Sequence, residues 1–573
     1  MPITLTAAFV SELKKGSNHP NVIIEMTLDN ITYKFGQNTG GFNDVQPILI
    51  NISSLQNKID TKAGYTTRGK MIFSIAGRDI IKRLIGNRFL KNRRIVRKEG
   101  FLVSGFAYSD YAETFTGKIT DWSRDGDELD ISVADDMTEG LKKIPVENSR
   151  KTQYLDYRNT NPVNIIHDML SSRMNISTVY IDSTKFIAER DTWLNTLIFN
   201  RVITKPEDAD KYLNELQVET NSFLIHDGNK ISYKVFAPII PGQSVQSWND
   251  NFNILEDSVS QDSGYKENFA NRVIVMYDYD ESGSDGWENY ESVYITQDSS
   301  SLSTSEWNET ATKEIKSKWI RSRTYTQPTN ITGVNLYHVS YDNSTGPGTL
   351  TYATGSTANT LSWTAPNSTA AGELVKLNKA GVFQLFDSDT SKSVRVIVES
   401  SSLPLGSTSD SISVTALNGG AYAQTLANRH LARYRNPVAS ISFEVDLNDA
   451  AFNSQFLKPT DIKYITTDEA FDKDSTGWSS ESVMLTSVRP DLEKHIVSVE
   501  AIQTNLYRKY GFIAPAGYPT YSSATEAQKE YAFIADTSGM LAGSTALAYY
   551  IWGFALCAFN LSEIVFIFGD TWH

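Results

Sequence analysis

The sequence predicts a mainly β protein with interspersed helices, of the α+β class, and three observations carry that prediction. Apolar and polar residues alternate at period two through residues 1–150, and again in four runs between residues 439 and 501. Aromatic residues make up 11% of the 573 residues, a level suited to pleated, half-buried surfaces. Helical periodicity is confined to residues 160–217 and 421–434. A chain of this length exceeds one typical core, so several domains are expected.

Within residues 1–150, Val22, Ile24 and Met26 share one face of a strand. Ile31, Tyr33 and Phe35 share a face of the next, and turns fall at Asp29-Asn30 and Gly40-Gly41. Further on, Phe115, Gly117, Ile119 and Asp121 align along one strand face. An Asp-Gly turn leads to a return strand in which Leu129, Ile131 and Val133 face one way. Asp135-Asp136 then suits an exposed helix start, where carboxylates are favoured by the helix dipole. This portion is expected to be an antiparallel barrel or small sandwich. Residues 81–98 interrupt it with eight basic residues in an acidic protein.

Residues 151–265 are expected to be a helical and hairpin connecting domain. Asn161 caps a helix with Pro162 in its first turn and Ile165, Ile166, Met169 and Leu170 on its apolar face. Pro206-Glu207-Asp208-Ala209 opens a second helix through Tyr212, Leu213 and Leu216. A hairpin follows, with strands at 223–226 and 231–236 around Asp227-Gly228-Asn229. An apolar strand lies at 267–277. Over residues 327–416 Gly, Ser and Thr dominate, with short strands at 349–353, 360–363, 381–386 and 393–399. That rhythm predicts an inserted Ig-like β-sandwich. A helix at 421–434 precedes strands at 439–445, 461–466, 482–488 and 495–501, with Arg489-Pro490-Asp491 as the last turn. The C-terminal extension, 511–573, holds an uncharged run at 537–562. It has the length of a membrane span, but Gly543, Ser544, Thr545, Gly553 and Asn560 dilute it and Glu563 cuts it. Burial in a subunit interface and membrane contact are its two readings.

The segments 116–122 (TGKITDW) and 129–136 (LDISVADD), ahead of Leu141 and Ile144-Pro145, resemble the first barrel of bacteriophage tail hub and baseplate proteins. The segments that follow resemble the rest of such a hub in order: LNEL and HDG of the hairpin, ENFANRVIVMY at 267–277, LANRHLARYRNP at 426–437, LKPTDI at 457–462, 483–502, and the Tyr/Gly-rich 510–539. The resemblance implies two pseudo-symmetric β-barrels of the phage tail hub type, at 1–150 and at 266–326 joined to 417–510, with the Ig-like sandwich of 327–416 inserted between the halves of the second. It implies a homotrimer that adapts a sixfold tail tube to threefold distal parts and closes the lumen at the virion's tail tip. Such a protein is assembled in the host bacterial cytoplasm and serves host attachment and genome ejection. The partners it implies are a distal tail protein ring, the tape-measure protein C-terminus, and a tail fibre or receptor-binding protein.

Net charge is −14 with a pI near 5.1, which argues against stable nucleic-acid binding and leaves DNA only in transit. The basic run 82–98 accordingly has three readings: a solvated strand face, a dock for an acidic partner or neighbouring subunit, or a surface touching passing DNA. A single cysteine, Cys557, read as a free core thiol, removes disulfides, Cys-based zinc and iron–sulfur sites. Seven scattered histidines form no His-x-x-x-His pair, and there is no nucleophile elbow or phosphate loop. Asp278-Tyr279-Asp280-Glu281-Ser282-Gly283 copies half an EF-hand loop, but Asn289 holds the twelfth position and Glu288 falls one residue early, so a polar loop is expected. No catalytic, cofactor-binding or metal residue is assigned, and no cofactor. Residues 1–20 carry no secretory pattern, so the Asn175, Asn330 and Asn343 triplets read as composition. A carbohydrate-active tail enzyme and a membrane-anchored surface adhesin are the alternatives.

Overall fold

The computed structural model describes residues 5–504, with interruptions of which the longest are 60–68, 146–153, 238–244, 263–268, 280–285, 299–309, 342–347, 354–358, 399–407 and 472–476; beyond 504 it describes Thr525 and three strands.

Helix α1 (Ala7–Leu13) opens the chain, capped by Thr6 Oγ1 accepting from the Phe9 N–H. Nine strands follow: β1 (Pro20–Leu28), β2 (Ile31–Gly36), β3 (Val45–Gln46), β4 (Leu49–Ile52), β5 (Asn57–Lys58), β6 (Lys70–Ala76), β7 (Arg94–Phe101), β8 (Ala112–Asp125) and β9 (Glu128–Ala134). Helix α2 (Arg78–Ile85) lies between β6 and β7. All strands except β5 form one sheet of order β3-β2-β1-β7-β8-β9-β6-β4. Its edge strands β3 and β4 are separated in sequence only by Pro47 and Ile48, a reach of about 11 Å at most. The sheet must therefore roll until its edges approach. Among the described residues no ladder joins β3 to β4, so the sheet is rolled and not closed. Met26, Phe35, Phe73, Ile95 and Phe115 fill its interior, with Ile81 and Leu84 of α2. Ile31, expected beside Phe35, lies exposed at the start of β2.

The alternation of β8 breaks at Thr120. Ile119 pairs with Val133 and Asp121 with Ser132, leaving Thr120 as a bulge. Asp121 thus leaves the face of Phe115 and Ile119, and Trp122 takes it opposite Ile131. The hairpin closes through Gly126 at φ +57, a left-handed turn position that favours glycine.

The connecting portion contains β10 (Lys143–Ile144), β11 (Leu155–Asp156), α3 (Pro162–Asp168), α4 (Ser183–Glu189), β12 (Val202–Ile203), β13 (Glu207–Asp208), α5 (Ala209–Thr220), β14 (Ser222–Asp227) and β15 (Lys230–Val235). Asn161 caps α3 through the Val163 N–H at 3.0 Å. The chain then supplies β16 (Gln246–Asn249) and β17 (Ser260–Asp262) to a second large sheet. Next, β18 (Arg272–Tyr279), β19 (Tyr290–Gln297) and β20 (Thr312–Lys316) form a separate three-stranded sheet. This differs from the expectation that 266–326 begins a second barrel. Val273, Val275, Tyr277 and Ile315 bury their common face in the helical core with Ile165, Leu213 and Leu216, which draws these strands away.

β21 (Arg323–Thr324) precedes the insert, whose strands are β22 (Thr329–Ile331), β23 (Val334–Tyr341), β24 (Thr349–Ala353), β25 (Asn359–Thr364), β26 (Val375–Leu377), β27 (Gly381–Phe386), β28 (Ser393–Val398) and β29 (Thr408–Ser411). They make two four-stranded sheets, β22-β23-β28-β27 and β26-β25-β24-β29. Leu350, Tyr352 and Trp363 of one meet Leu385, Val394 and Val396 of the other. β30 (Thr415–Ala416) pairs back onto β21 at the base.

After α6 (Gly419–Tyr434) come β31 (Ser440–Asp446), β32 (Ala451–Phe452), β33 (Gln455–Phe456), β34 (Ile462–Phe471), β35 (Gly477–Asp491) and β36 (Ile496–Gln503). The second large sheet has the order β16-β34-β35-β36-β31-β17, with β5 added onto β35. Arg489-Pro490-Asp491, expected as a turn, ends β35, and the turn is Lys494-His495. Pro490 pairs only with Val497 of β36, where a missing N–H costs no second ladder. β37 (Arg508–Ala514), β38 (Phe533–Ala535) and β39 (Tyr550–Cys557) form a last small sheet.

The two large sheets share a four-strand unit. β6-β9-β8-β7 and β31-β36-β35-β34 occur in the same chain order with the same antiparallel neighbours. Their registers coincide: Lys70↔Ala134 and Ala76↔Glu128 in one, Ser440↔Ile502 and Asp446↔Ile496 in the other. In the long hairpins, Asp125↔Glu128 to Asp121↔Ser132 is matched by Asp491↔Ile496 to Ser487↔Glu500, and each bulge residue is a threonine, Thr120 or Thr486. Arg94↔Lys118 corresponds to Ile462↔Met484. Asn92 (φ +63) and Thr460 (φ +75) turn the chain just ahead of β7 and β34, the second strand of each unit in chain order. Phe73 and Phe443 are buried at the same position of the first strand.

Candidate assembly surfaces

The two units are joined by segments from the N-terminal part. Phe9 of α1 is fully buried in the core of the second sheet, with ring centroids 5.0 Å from Phe101 and 5.3 Å from Phe456. Leu5 N–H donates to Ser454 O at 2.8 Å. β5 pairs with β35, Lys58↔Ser487 and Asn57↔Val488, and the Ile59 N–H donates to Thr486 O at 2.8 Å. Lys58 Nζ reaches Glu500 at 2.8 Å, an exposed pair worth little by itself. The first unit thus lends a strand to the long hairpin of the second.

The matching edge of β8 carries no strand. Beyond Lys118 no strand pairs with that side of β8 among the described residues. Trp122 is 40% exposed there, whereas Val488 at the same register is 2% exposed under β5.

Asp135 and Asp136, expected at an exposed helix start, are both buried. Asp135 accepts from the Gly69 N–H at 2.6 Å and the Met137 N–H at 3.0 Å, and burial pushes its carboxyl above the usual range. Asp136 accepts from both Nη atoms of Arg94. The Arg94 guanidinium also lies 3.5 Å over the Tyr180 ring, which ties the first sheet to the connecting domain.

The strand half of the basic run is engaged within the first sheet. Besides Arg94, Arg97 pairs with Glu99 at 2.6 Å, and Lys98 with Glu25 at 3.4 Å and Glu113 at 3.6 Å. Lys82 and Arg83 sit on the exposed side of α2, so the run is a helix followed by a strand and not one strand face.

Polar groups inside the connecting core hold α5 and α6 together. Glu219 accepts from Ser317 Oγ at 2.6 Å, and burial drives its carboxyl well above the usual range. Arg201 donates to Glu215 at 2.6 Å beneath Trp319. His430 Nε2 faces Glu219 O at 3.2 Å, and burial pushes its pKa down to about 3, so Nε2 carries the proton of a neutral ring. Arg433 donates to Asn221 Oδ1 and lies 4.2 Å over Phe236. Within the resemblance-bearing segment, His430 and Arg433 thus serve packing of the connecting core.

Sequence reasoning missed Lys463. It occupies an interior position of the second unit, in register with Ile95 of the first. Its Nζ donates to Gln246 Oε1 at 2.9 Å, and burial lowers its pKa to about 8. Aligning the two units by register would have exposed this exchange of apolar for basic.

Asp278, expected in a polar loop, is the penultimate residue of β18 and accepts from Ser322 N–H and Oγ, each at 2.6 Å; positions 280–285 lie outside the described residues. Among the described residues no group of three His, Cys, Asp or Glu side chains could hold a metal. Open clefts among the described residues include one lined by Ser258, Ser442, Glu444, Arg489 and Glu500 and another lined by Asp208, Lys211, Glu215 and Lys316. Of the uncharged C-terminal run, Tyr550–Cys557 is a strand paired with β37, and the remainder lies outside the described residues, as does the Cys557 side chain. No described helix is long and apolar enough to cross a membrane, which says nothing of a strand-built barrel.

No protein-family model and no curated protein matches the chain. Among solved structures, it is similar to the prophage MuSo2 43 kDa tail protein from Shewanella oneidensis, at 9% identity and a TM-score of 0.37, covering 84% of this chain and 98% of that one. It is similar to the prophage tail protein gp18 from Listeria monocytogenes EGD-e, at 8% identity and 0.35, covering 85% and 94%. It is also similar to the Francisella PdpA-VgrG complex, at 9% identity and 0.34, covering 98% of this chain and 74% of that one.

Proposed function

We propose that this protein is a structural, non-catalytic hub at the tail tip of a long-tailed bacteriophage. The observation that carries the reading is the four-strand unit used twice in one polypeptide with matching register. The first copy lies in a rolled sheet, and in this reading both units serve as barrels of the hub type. Three chains would then present six similar barrels to a sixfold tube while keeping threefold contacts on the distal side. In this reading the first barrel spans 1–150 and the second draws on 246–262 and 440–503. The Ig-like sandwich projects from the body, toward fibre or receptor-binding partners. The distal tail ring sits above, the tape-measure C-terminus occupies the lumen, and DNA passes without being held, consistent with a net charge of −14.

The test is native mass measurement of the purified chain, alone and mixed with the other tail proteins, followed by electron microscopy. The expected species has three times the 64.0 kDa chain mass and a ring of six equivalent densities. A chain that stays monomeric beside its tail partners defeats the reading.

A further inference from the structure

We propose that the outer edge of β8, centred on Thr120 and Trp122, receives a β-strand from a second copy of this chain, in the register that β5 uses on β35. The inference rests on the hub reading and specifies one of the surfaces that join its copies.

The argument is a comparison of two positions within one molecule. In an antiparallel ladder, alternate residues send their N–H and C=O to opposite neighbours. Asp125 and Glu128 close a two-residue turn, so Asp125, Ser123 and Asp121 bond toward β9 while Trp122 points its backbone groups away from it. Val488 holds the same register in β35, and its outward side is occupied by Asn57. The Ile59 N–H bonds to Thr486 O, the bulge residue, and the counterpart acceptor in the first unit is Thr120 O. Residues 486–488 are buried by this addition, whereas 120–122 are exposed. At Trp122 the outward N–H is met locally by the Asp121 carboxylate at 2.9 Å, a contact an incoming strand would displace.

The occupant follows from the direction of the donation. The first unit lends its strand forward to the second unit of the same chain. Among the described residues nothing from the second unit returns to the first unit's edge. A donation repeated in the same sense must come from the next chain. Such a head-to-tail contact uses two different surfaces and closes into a ring when the rotation permits. A bare edge bearing an exposed tryptophan would otherwise invite uncontrolled pairing.

The full-length chain and two variants, Trp122→Pro and Thr120→Lys/Trp122→Lys, are compared by analytical ultracentrifugation, thermal melting and hydrogen exchange. Proline removes the outward N–H together with the indole, and the second unit already carries Pro490 on its own outward side. The double lysine leaves the backbone intact and charges the edge. The expectation is that self-association weakens at least tenfold in both variants while the monomer still melts as a folded protein. Amides 120–124 of the assembled parent should exchange as slowly as 486–488. If both variants assemble like the parent, or 120–124 exchange freely in the assembly, the edge is not the joint, although the trimer could stand. Should 120–124 gain protection only when a different tail protein is added, a second copy is ruled out as the occupant. A parent chain that never assembles, with or without tail partners, overturns the ring and this edge together.

Discussion

Replacing Lys463 by Ile, the residue its register partner Ile95 already supplies in the first unit, should change how stability depends on alkaline pH. Lys463 is 2% exposed and its pKa falls from 10.5 to about 8, with burial as the main cause. The folded protein therefore releases this proton more readily than the unfolded chain. Below pH 8 both states are protonated and the full cost of burying the charge is present. Between pH 8 and 10.5 the folded state sheds the proton first, so stability rises with pH; above 10.5 the cost is gone. At about 1.36 kcal/mol per pH unit the fall amounts to roughly 3 kcal/mol. The assay is urea unfolding of parent and K463I at half-unit steps from pH 7 to 10.5, taking the difference so that tyrosines titrating in both proteins cancel. The parent should gain about 3 kcal/mol on the variant across that window. A flat difference, within about 0.5 kcal/mol, would refute the account of Lys463 as a buried charge.

Three further perturbations test the packing. Phe9→Ala removes a fully buried ring from the second core and should cost about 3–5 kcal/mol, read as a lowered urea midpoint for that sheet. Arg94→Ala strands the buried Asp136 carboxylate with only Lys118 at 3.7 Å, so a loss of about 3 kcal/mol is expected in thermal or urea melts at neutral pH. His430 is held neutral with its pKa pushed down to about 3 from 6.5, so the stability tied to it is intact above 6.5 and declines as pH falls toward 3. His430→Gln should make acid unfolding less steep in that interval, and an unchanged slope contradicts the assignment.

Much of the fold was legible because alternation and turn chemistry are local. The α3 cap at Asn161, the β14–β15 hairpin and four strands of the insert, β24, β25, β27 and β28, follow from period and punctuation. What escaped depends on contacts distant in sequence. Nothing near Asp135-Asp136 announces that Gly69 and Arg94 will come to cover them. The bulge at Thr120, which moves Trp122 and not Asp121 onto the inner face, adds one residue without altering composition. The β18–β20 sheet was assigned to the wrong neighbour because a strand's apolar face does not say which core will receive it. Lys463 looked like a surface lysine in an alternating strand, since its interior place appears only when the two units are aligned by register. At the two long hairpins, the sequence showed that β strands were present but not which edge was covered.

The β21–β30 ladder gives the insert a further property. Arg323 and Ala416 face each other across it, so the chain leaves the body and comes back at adjacent points roughly 5 Å apart. A module tethered at one doorway can be lengthened, shortened or exchanged for an unrelated one while the body keeps the same two attachment points. The insert is thereby free to diversify at a pace the strands of the two large sheets could not tolerate.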